Sequence, residues 1–151
     1  MKSPLIIKNE ILIHASVHAV WDALTNPAQT KKYMYGCEAI STWKQGDTLN
    51  WKGEYNGKEM IFVTGKIVRI EPETYLEYTT FDPNSSMENN AANHLTVCYQ
   101  LQEENQQTKL TVTQGDYSKV AEGDRRYKET YNNGEGWNPI LMEIKKLVET
   151  V

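Results

Sequence analysis

Three histidines, two cysteines and a scatter of carboxylates are the groups in this 151-residue chain that could move a proton, attack an electrophile or hold a metal. Their arrangement favours none of these. His14 and His18 flank an expected strand-to-helix junction and read as surface or capping residues, and no Cys-x-x-Cys pair accompanies them, so no metal or other cofactor is expected. Cys37 and Cys98 have no histidine partner visible in the sequence, and no Gly-x-Ser-x-Gly elbow is present, which leaves covalent catalysis without support. Glycine runs that cradle phosphates or dinucleotides are absent as well. Two carboxylates beside aromatic residues, Glu54 and Glu77, could serve as acid or base, but alternation sends both to water. Glu54 shares the parity of Asn50 and Lys52, and Glu77 is opposite in parity to Leu76 and Tyr78. No catalytic residue is therefore assigned.

What remains is aromatic. Tyrosines and tryptophans offer broad apolar faces with a hydroxyl or an indole N–H to fix orientation, which suits the wall of a site for an amphipathic small molecule. Trp51, Tyr78, His94, Tyr99 and Trp137 are the expected ligand-binding wall. Tyr78 and Tyr99 share parity with the apolar Leu76 and Leu101, while Trp51 and His94 are included as polar handles. His94 and Tyr99 differ by an odd number of residues, so both face inward only if a bulge separates them.

The elements that must position this wall follow from periodicity. Trp137, Ile140, Leu141, Ile144, Leu147, Val148 and Val151 recur at helical spacing, giving an amphipathic terminal helix over about 136–149. Leu5 to His14 reads as a first strand. Ser16 caps a short helix over 16–25, and Asn26-Pro27 starts a second over 27–34. From Glu38 the period becomes two, with turn signals at Gln45-Gly46-Asp47, Asn56-Gly57, Glu71-Pro72-Glu73, 82–93 and 103–107 dividing six further strands. Between Asp116 and Gly136 the sequence is least informative: Asp124 can start a turn or two of helix that Asn132-Asn133-Gly134 would stop. The implied class is α+β, a seven-stranded curved antiparallel sheet wrapped around a long C-terminal helix, with two short helices after the first strand. Residues 1–151 read as one domain.

A net charge of -4, with no basic cluster longer than a pair, excludes non-specific nucleic-acid binding. No segment reads as a signal peptide or a membrane span, so a cytoplasmic protein without integral membrane association is expected, its cysteines reduced.

The element order resembles the START-like helix-grip (SRPBCC) superfamily. The fragments Ile11-Leu12-Ile13-His14-Ala15-Ser16, Val20-Trp21-Asp22-Ala23-Leu24-Thr25-Asn26-Pro27, Gly65 to Pro72, Thr108 to Thr113 and Gly136-Trp137 resemble the branch named after the activator of heat-shock-protein-90 ATPase. Where members of that branch often carry a tryptophan and a glycine pair, this chain has Tyr33-Met34-Tyr35-Gly36-Cys37. The resemblance implies a cavity between sheet and terminal helix that binds a small apolar or amphipathic molecule without covalent chemistry. It also implies two alternatives, a cyclase- or hydratase-type enzyme using the same cavity and a chaperone-interacting module. The family co-chaperone has a further domain for which this chain has no residues left, which counts against the last; the protein partner stays unassigned.

Overall fold

The computed structural model describes residues 3–149, and Val151, the last member of the expected apolar stripe, lies outside the described residues. Strand β1 (Ile7–Ile13) leads into α1 (Val17–Thr25), where the Ser16 hydroxyl accepts from the Ala19 amide at 3.1 Å. Asn26 both ends α1 and opens α2 (Pro27–Tyr33): its N–H donates to the Asp22 carbonyl, and its side-chain oxygen accepts from the Ala28 amide at 3.0 Å. Pro27 occupies the first turn, where a missing N–H costs nothing.

Strands β2 (Glu38–Ile40), β3 (Thr48–Tyr55), β4 (Lys58–Glu71), β5 (Tyr75–Thr80), β6 (Leu95–Glu104) and β7 (Gln107–Gly115) complete a seven-stranded antiparallel sheet in the order β1-β7-β6-β5-β4-β3-β2. The β3–β4 hairpin turns on Asn56-Gly57, both at positive φ (53° and 78°), as a type I′ turn requires. Strand β4 serves two neighbours, with residues 58–66 pairing β3 and residues 67–71 pairing β5. It changes neighbour beside Gly65, whose backbone lies so close to Thr79 that a Cβ would sit 1.7 Å from the Thr79 carbonyl oxygen. Bulges flank this point, between Trp51 and Lys52 on β3 and between Ile67 and Arg69 on β4, and such irregularities bend a sheet.

After β7 the chain forms α3 (Gly123–Tyr131) and then α4 (Asn138–Glu149). Helix α3 stops where expected, because Asn132, Asn133 and Gly134 all adopt positive φ. The terminal helix starts two residues later than its apolar spacing suggests, since Gly136 is also at positive φ (49°) and cannot belong to a right-handed turn. Leu141 and Ile144 are fully buried, with Ile140, Leu147 and Val148 packed beside them. Facing them, Leu95, Val97, Tyr99 and Leu101 of β6 and Leu110 and Val112 of β7 alternate with exposed or half-buried neighbours.

Helix α4 is fixed to β1 at both ends. The Trp137 amide donates to Asn9 Oδ1 (2.9 Å), and eight residues on, Lys145 Nζ donates to the Leu12 carbonyl (3.0 Å) and to Glu149 Oε2 (2.5 Å). Glu149 Oε2 also accepts from the His14 amide at 2.7 Å, and these donors hold its carboxyl below the usual carboxylate range. Burying the apolar stripe of α4 and satisfying these polar ends together decide where the helix lies.

Candidate functional site

Four of the five expected wall residues form one aromatic chain. Trp51 on β3 lies 6.1 Å from Tyr78 on β5, Tyr78 lies 5.9 Å from Tyr99 on β6, and Tyr99 meets Trp137 edge-to-face at 5.9 Å. Such geometries are favourable beyond the area they bury, by about 0.5–1.5 kcal/mol per pair. The chain runs from the β3 side of the sheet to the start of α4, and Trp137 closes it by donating from its indole Nε1 to Gln114 Oε1 on β7 at 2.9 Å.

Above this row lies a cavity of about 650 Å³, within the range that holds a drug-sized molecule. Trp51, Tyr78, Val97 and Gln114 contribute from the sheet, Phe62 and Val63 from β4, and Trp137, Pro139 and Ile140 from the α4 end. Met34, Tyr35 and Cys37 border it from the turn after α2, and Glu129, Thr130, Asn132 and Glu135 from the end of α3. Tyr99 is one step removed: it is 1% exposed and sits behind Tyr78 and Trp137, outside the lining.

His94 is placed elsewhere. No bulge interrupts β6, so parity sends His94 to the face opposite Leu95, where it stacks on Phe81 (5.1 Å, 10° between planes). Its ring nitrogens lie 2.8 Å from Asn89 Oδ1 and 3.3 Å from Thr79 Oγ1, beside a groove that includes Lys66. Burial, and secondarily Lys66, pull its pKa below 6.5. The strand it leads into is central, but centrality does not select a face.

Phe62 and Val63 are lining residues that alternation misses. The β3–β4 register runs Trp51↔Val63 and then Lys52↔Ile61, so Phe62 is the extra residue of the bulge and joins Val63 in the lining. Nothing in Met60-Ile61-Phe62-Val63 announces that insertion, because all four are apolar. The α3 contribution comes from the stretch the sequence left least defined. The Asn132-Asn133-Gly134 stop marks where that helix ends, but not what its last turn faces.

The carboxylates Glu54 and Glu77 both lie outside the lining. Glu54 is exposed, and Glu77 accepts from the Tyr75 hydroxyl at 2.6 Å. Burial pushes the Cys37 thiol above its ordinary value, making it a poor nucleophile. Among the described residues no cluster of three or more His, Cys, Asp or Glu could hold a metal ion, and no helix is long and apolar enough to cross a membrane.

A family model described as Activator of Hsp90 ATPase homolog 1-like protein matches residues 14–149. Among solved structures, ChR145 from Cytophaga Hutchinsonii is 29% identical, with a TM-score of 0.76 over 99% of this chain and 97% of that one. The Aha1 dimer from Colwellia psychrerythraea is 19% identical with a TM-score of 0.68, covering 95% of this chain and 96% of that chain. DynU16, from the dynemicin biosynthetic locus, is 15% identical with a TM-score of 0.68; the match covers 98% of this chain and 48% of the longer one. At such identities the last two show the shared fold alone. No curated protein matches the chain.

Proposed function

The chain belongs to the Activator of Hsp90 ATPase homolog 1-like protein family, and on that premise we propose that it binds a small apolar or amphipathic molecule, without covalent chemistry, in the cavity between the sheet and the α3–α4 end. The family's fold commonly holds hydrophobic ligands. The observation that carries the reading for this chain is the 650 Å³ space walled by Trp51, Tyr78 and Trp137, each itself held rigidly in the aromatic row. Rings already fixed by packing lose little freedom when a ligand settles on them, so more of the contact energy is kept as affinity. Removing apolar ligand surface from water contributes about 25 cal/mol per Å², enough for micromolar binding of a molecule that fills such a space.

The bond from Trp137 to Gln114 gives the site its connection to the fold. It joins the floor of the cavity to β7 and to α4 at one point, so displacing the ring disturbs the helix and the pocket together. Native mass spectrometry of the freshly purified protein tests the reading. A co-purified small molecule, or saturable binding of the uncharged dye Nile red with Trp51→Ala weakening it, is the expected result. Absence of both would overturn the ligand-binding function.

A further inference from the structure

The hydrogen-bonding capacity of the cavity wall is one-sided. An indole nitrogen only donates, so the Gln114 atom 2.9 Å from Trp137 Nε1 is necessarily the carbonyl oxygen. The amide Nε2 therefore points away from the indole, on a side chain that lines the cavity, and its two hydrogens meet no acceptor among the described residues. Thr130 repeats the pattern: its hydroxyl oxygen accepts from the Tyr117 hydroxyl at 3.0 Å, which leaves its own proton free to donate.

The third donor is buried more deeply. The Tyr78 and Tyr99 hydroxyls lie 3.3 Å apart as each other's partner, on side chains 2% and 1% exposed. One proton occupies that contact and the second has no acceptor among the described residues. Tyr78 lines the cavity and Tyr99 does not, so both hydroxyls are satisfied when Tyr99 donates to Tyr78 and Tyr78 donates to a bound molecule. Burial pushes both phenols well above their ordinary pKa, keeping them protonated donors.

The charges of the lining point the same way. It contains no Lys, Arg or His, and its two ionisable carboxylates are Glu129 and Glu135. Glu129 is paired with Arg125 at 2.8 Å, and Glu135 accepts from Asn132 Nδ2 at 2.9 Å. A carboxylate ligand would enter without a counter-ion and beside like charge.

Resting on the ligand-binding reading, we infer that this cavity selects uncharged, largely apolar molecules bearing a carbonyl or similar acceptor oxygen, and discriminates against carboxylates. Tyr78 and Gln114 are the specificity-determining donors, and the aromatic row supplies the apolar contact.

Four anthracenes with one ring body and different heads separate the possibilities by fluorescence titration of the intact chain: 2-acetylanthracene, 2-ethylanthracene, anthracene-2-carboxylate and 2-(aminomethyl)anthracene. The acetyl compound is expected to bind about tenfold more tightly than the ethyl compound, as one or two neutral hydrogen bonds allow, and the carboxylate more weakly than either. In Tyr78→Phe, which keeps the ring, and Gln114→Glu, which keeps the acceptor for Trp137, the acetyl-over-ethyl preference should fall to about threefold or less. The ethyl affinity in Tyr78→Phe should hold. Equal binding of all four heads, or tightest binding of the carboxylate or the amine, overturns the specificity while leaving the cavity function standing. Unchanged preference in both variants overturns the assignment of the donors. No saturable binding of any member overturns both readings.

Discussion

Replacing Gly65 by alanine tests the bend on which the cavity depends. The added Cβ would lie 1.7 Å from the Thr79 carbonyl oxygen, 2.5 Å from its carbonyl carbon and 2.9 Å from Thr79 Oγ1. Real Cβ atoms essentially never show contacts under 3.0 Å, so β4 and β5 must part by the difference between 3.0 and 1.7 Å, or 1.3 Å. Backbone cannot yield as a flexible side chain would. The opening strains the reciprocal bonds between Thr64 and Phe81 (2.8 Å each way) and the Lys66 amide to Thr79 Oγ1 (3.0 Å). Three bonds at about 1 kcal/mol each, plus about 1–3 kcal/mol of overpacking, outweigh the 0.4–1 kcal/mol, roughly, that alanine returns by stiffening the unfolded chain. The expected net loss is about 3–5 kcal/mol, a large part of the roughly 5–15 kcal/mol that stabilises an ordinary domain. Urea unfolding followed by tryptophan fluorescence should show the midpoint falling by more than about 1 M. Gly46→Ala is the comparison: at φ 88° with nothing within 4 Å of its Cβ, it should cost only about 1 kcal/mol, from backbone strain. A Gly65→Ala midpoint within error of wild type would refute the close approach of β4 to β5 and the bend drawn from it.

Other expectations are as direct. Trp137→Ala should cost about 3–5 kcal/mol by chemical denaturation, because the ring is 7% exposed, and Trp137→Phe should recover most of that, losing chiefly the bond to Gln114 at about 1 kcal/mol. His18, hydrogen-bonded to Glu73 at 2.8 Å, should titrate above 6.5 by NMR and His94 below it. Their linkages have opposite signs: the stabilising effect of His18 is present below its unfolded value near 6.5 and fades as pH rises through the folded value. That of His94 is present above the unfolded value and fades as pH falls through the folded one. Glu73→Gln should return His18 toward 6.5 and leave His94 unmoved. Asp116 accepts from the Leu5 and Ser118 amides (2.9 Å each) and the Ser118 hydroxyl, which lower its pKa. Asp116→Asn should therefore flatten the loss of stability as pH falls through the depressed folded value, measured by urea midpoints across the acid range. Tyr35→Ala, removing a ring 86% exposed at the cavity border, should leave the unfolding free energy within about 0.5 kcal/mol of wild type while weakening Nile red binding a few-fold.

The parts of this fold legible from residues alone are those where a local signal and a global need coincide. Ser16, Asn26-Pro27 and Asn56-Gly57 each require a particular backbone, and each occurs where one element ends and the next begins. Alternation in β6 correctly turned Tyr99 inward, and by the same rule it argued against His94, which was chosen for its chemistry instead. Phe62 was hidden because a bulge in an all-apolar run leaves no mark in the pattern. The contribution of α3 was hidden for a different reason. Its few apolar groups, Tyr127 and Tyr131, stack on each other instead of forming a stripe, so periodicity carried no statement about which side faces the sheet.

The attachment of α4 to β1 bears on how the chain reaches this state. Strand β1 pairs with β7, Ile7 opposite Gln114, and its polar links to the last helix join Asn9 to Trp137, Leu12 to Lys145 and His14 to Glu149. Every partner of the first strand in the sheet or on that helix is thus at least 95 residues away, the separation of Ile13 from Thr108. During synthesis the opening strand emerges with nothing to pair against, while β2 to β6 can form sequential hairpins. Its edge must wait as an unpaired apolar segment until β7 has left the ribosome. Closure of so large a loop adds non-local contacts, which slow folding relative to a topology of hairpins alone. The segment containing Ile7, Ile11 and Ile13 is then the stretch most exposed to capture or mispairing before the last helix docks.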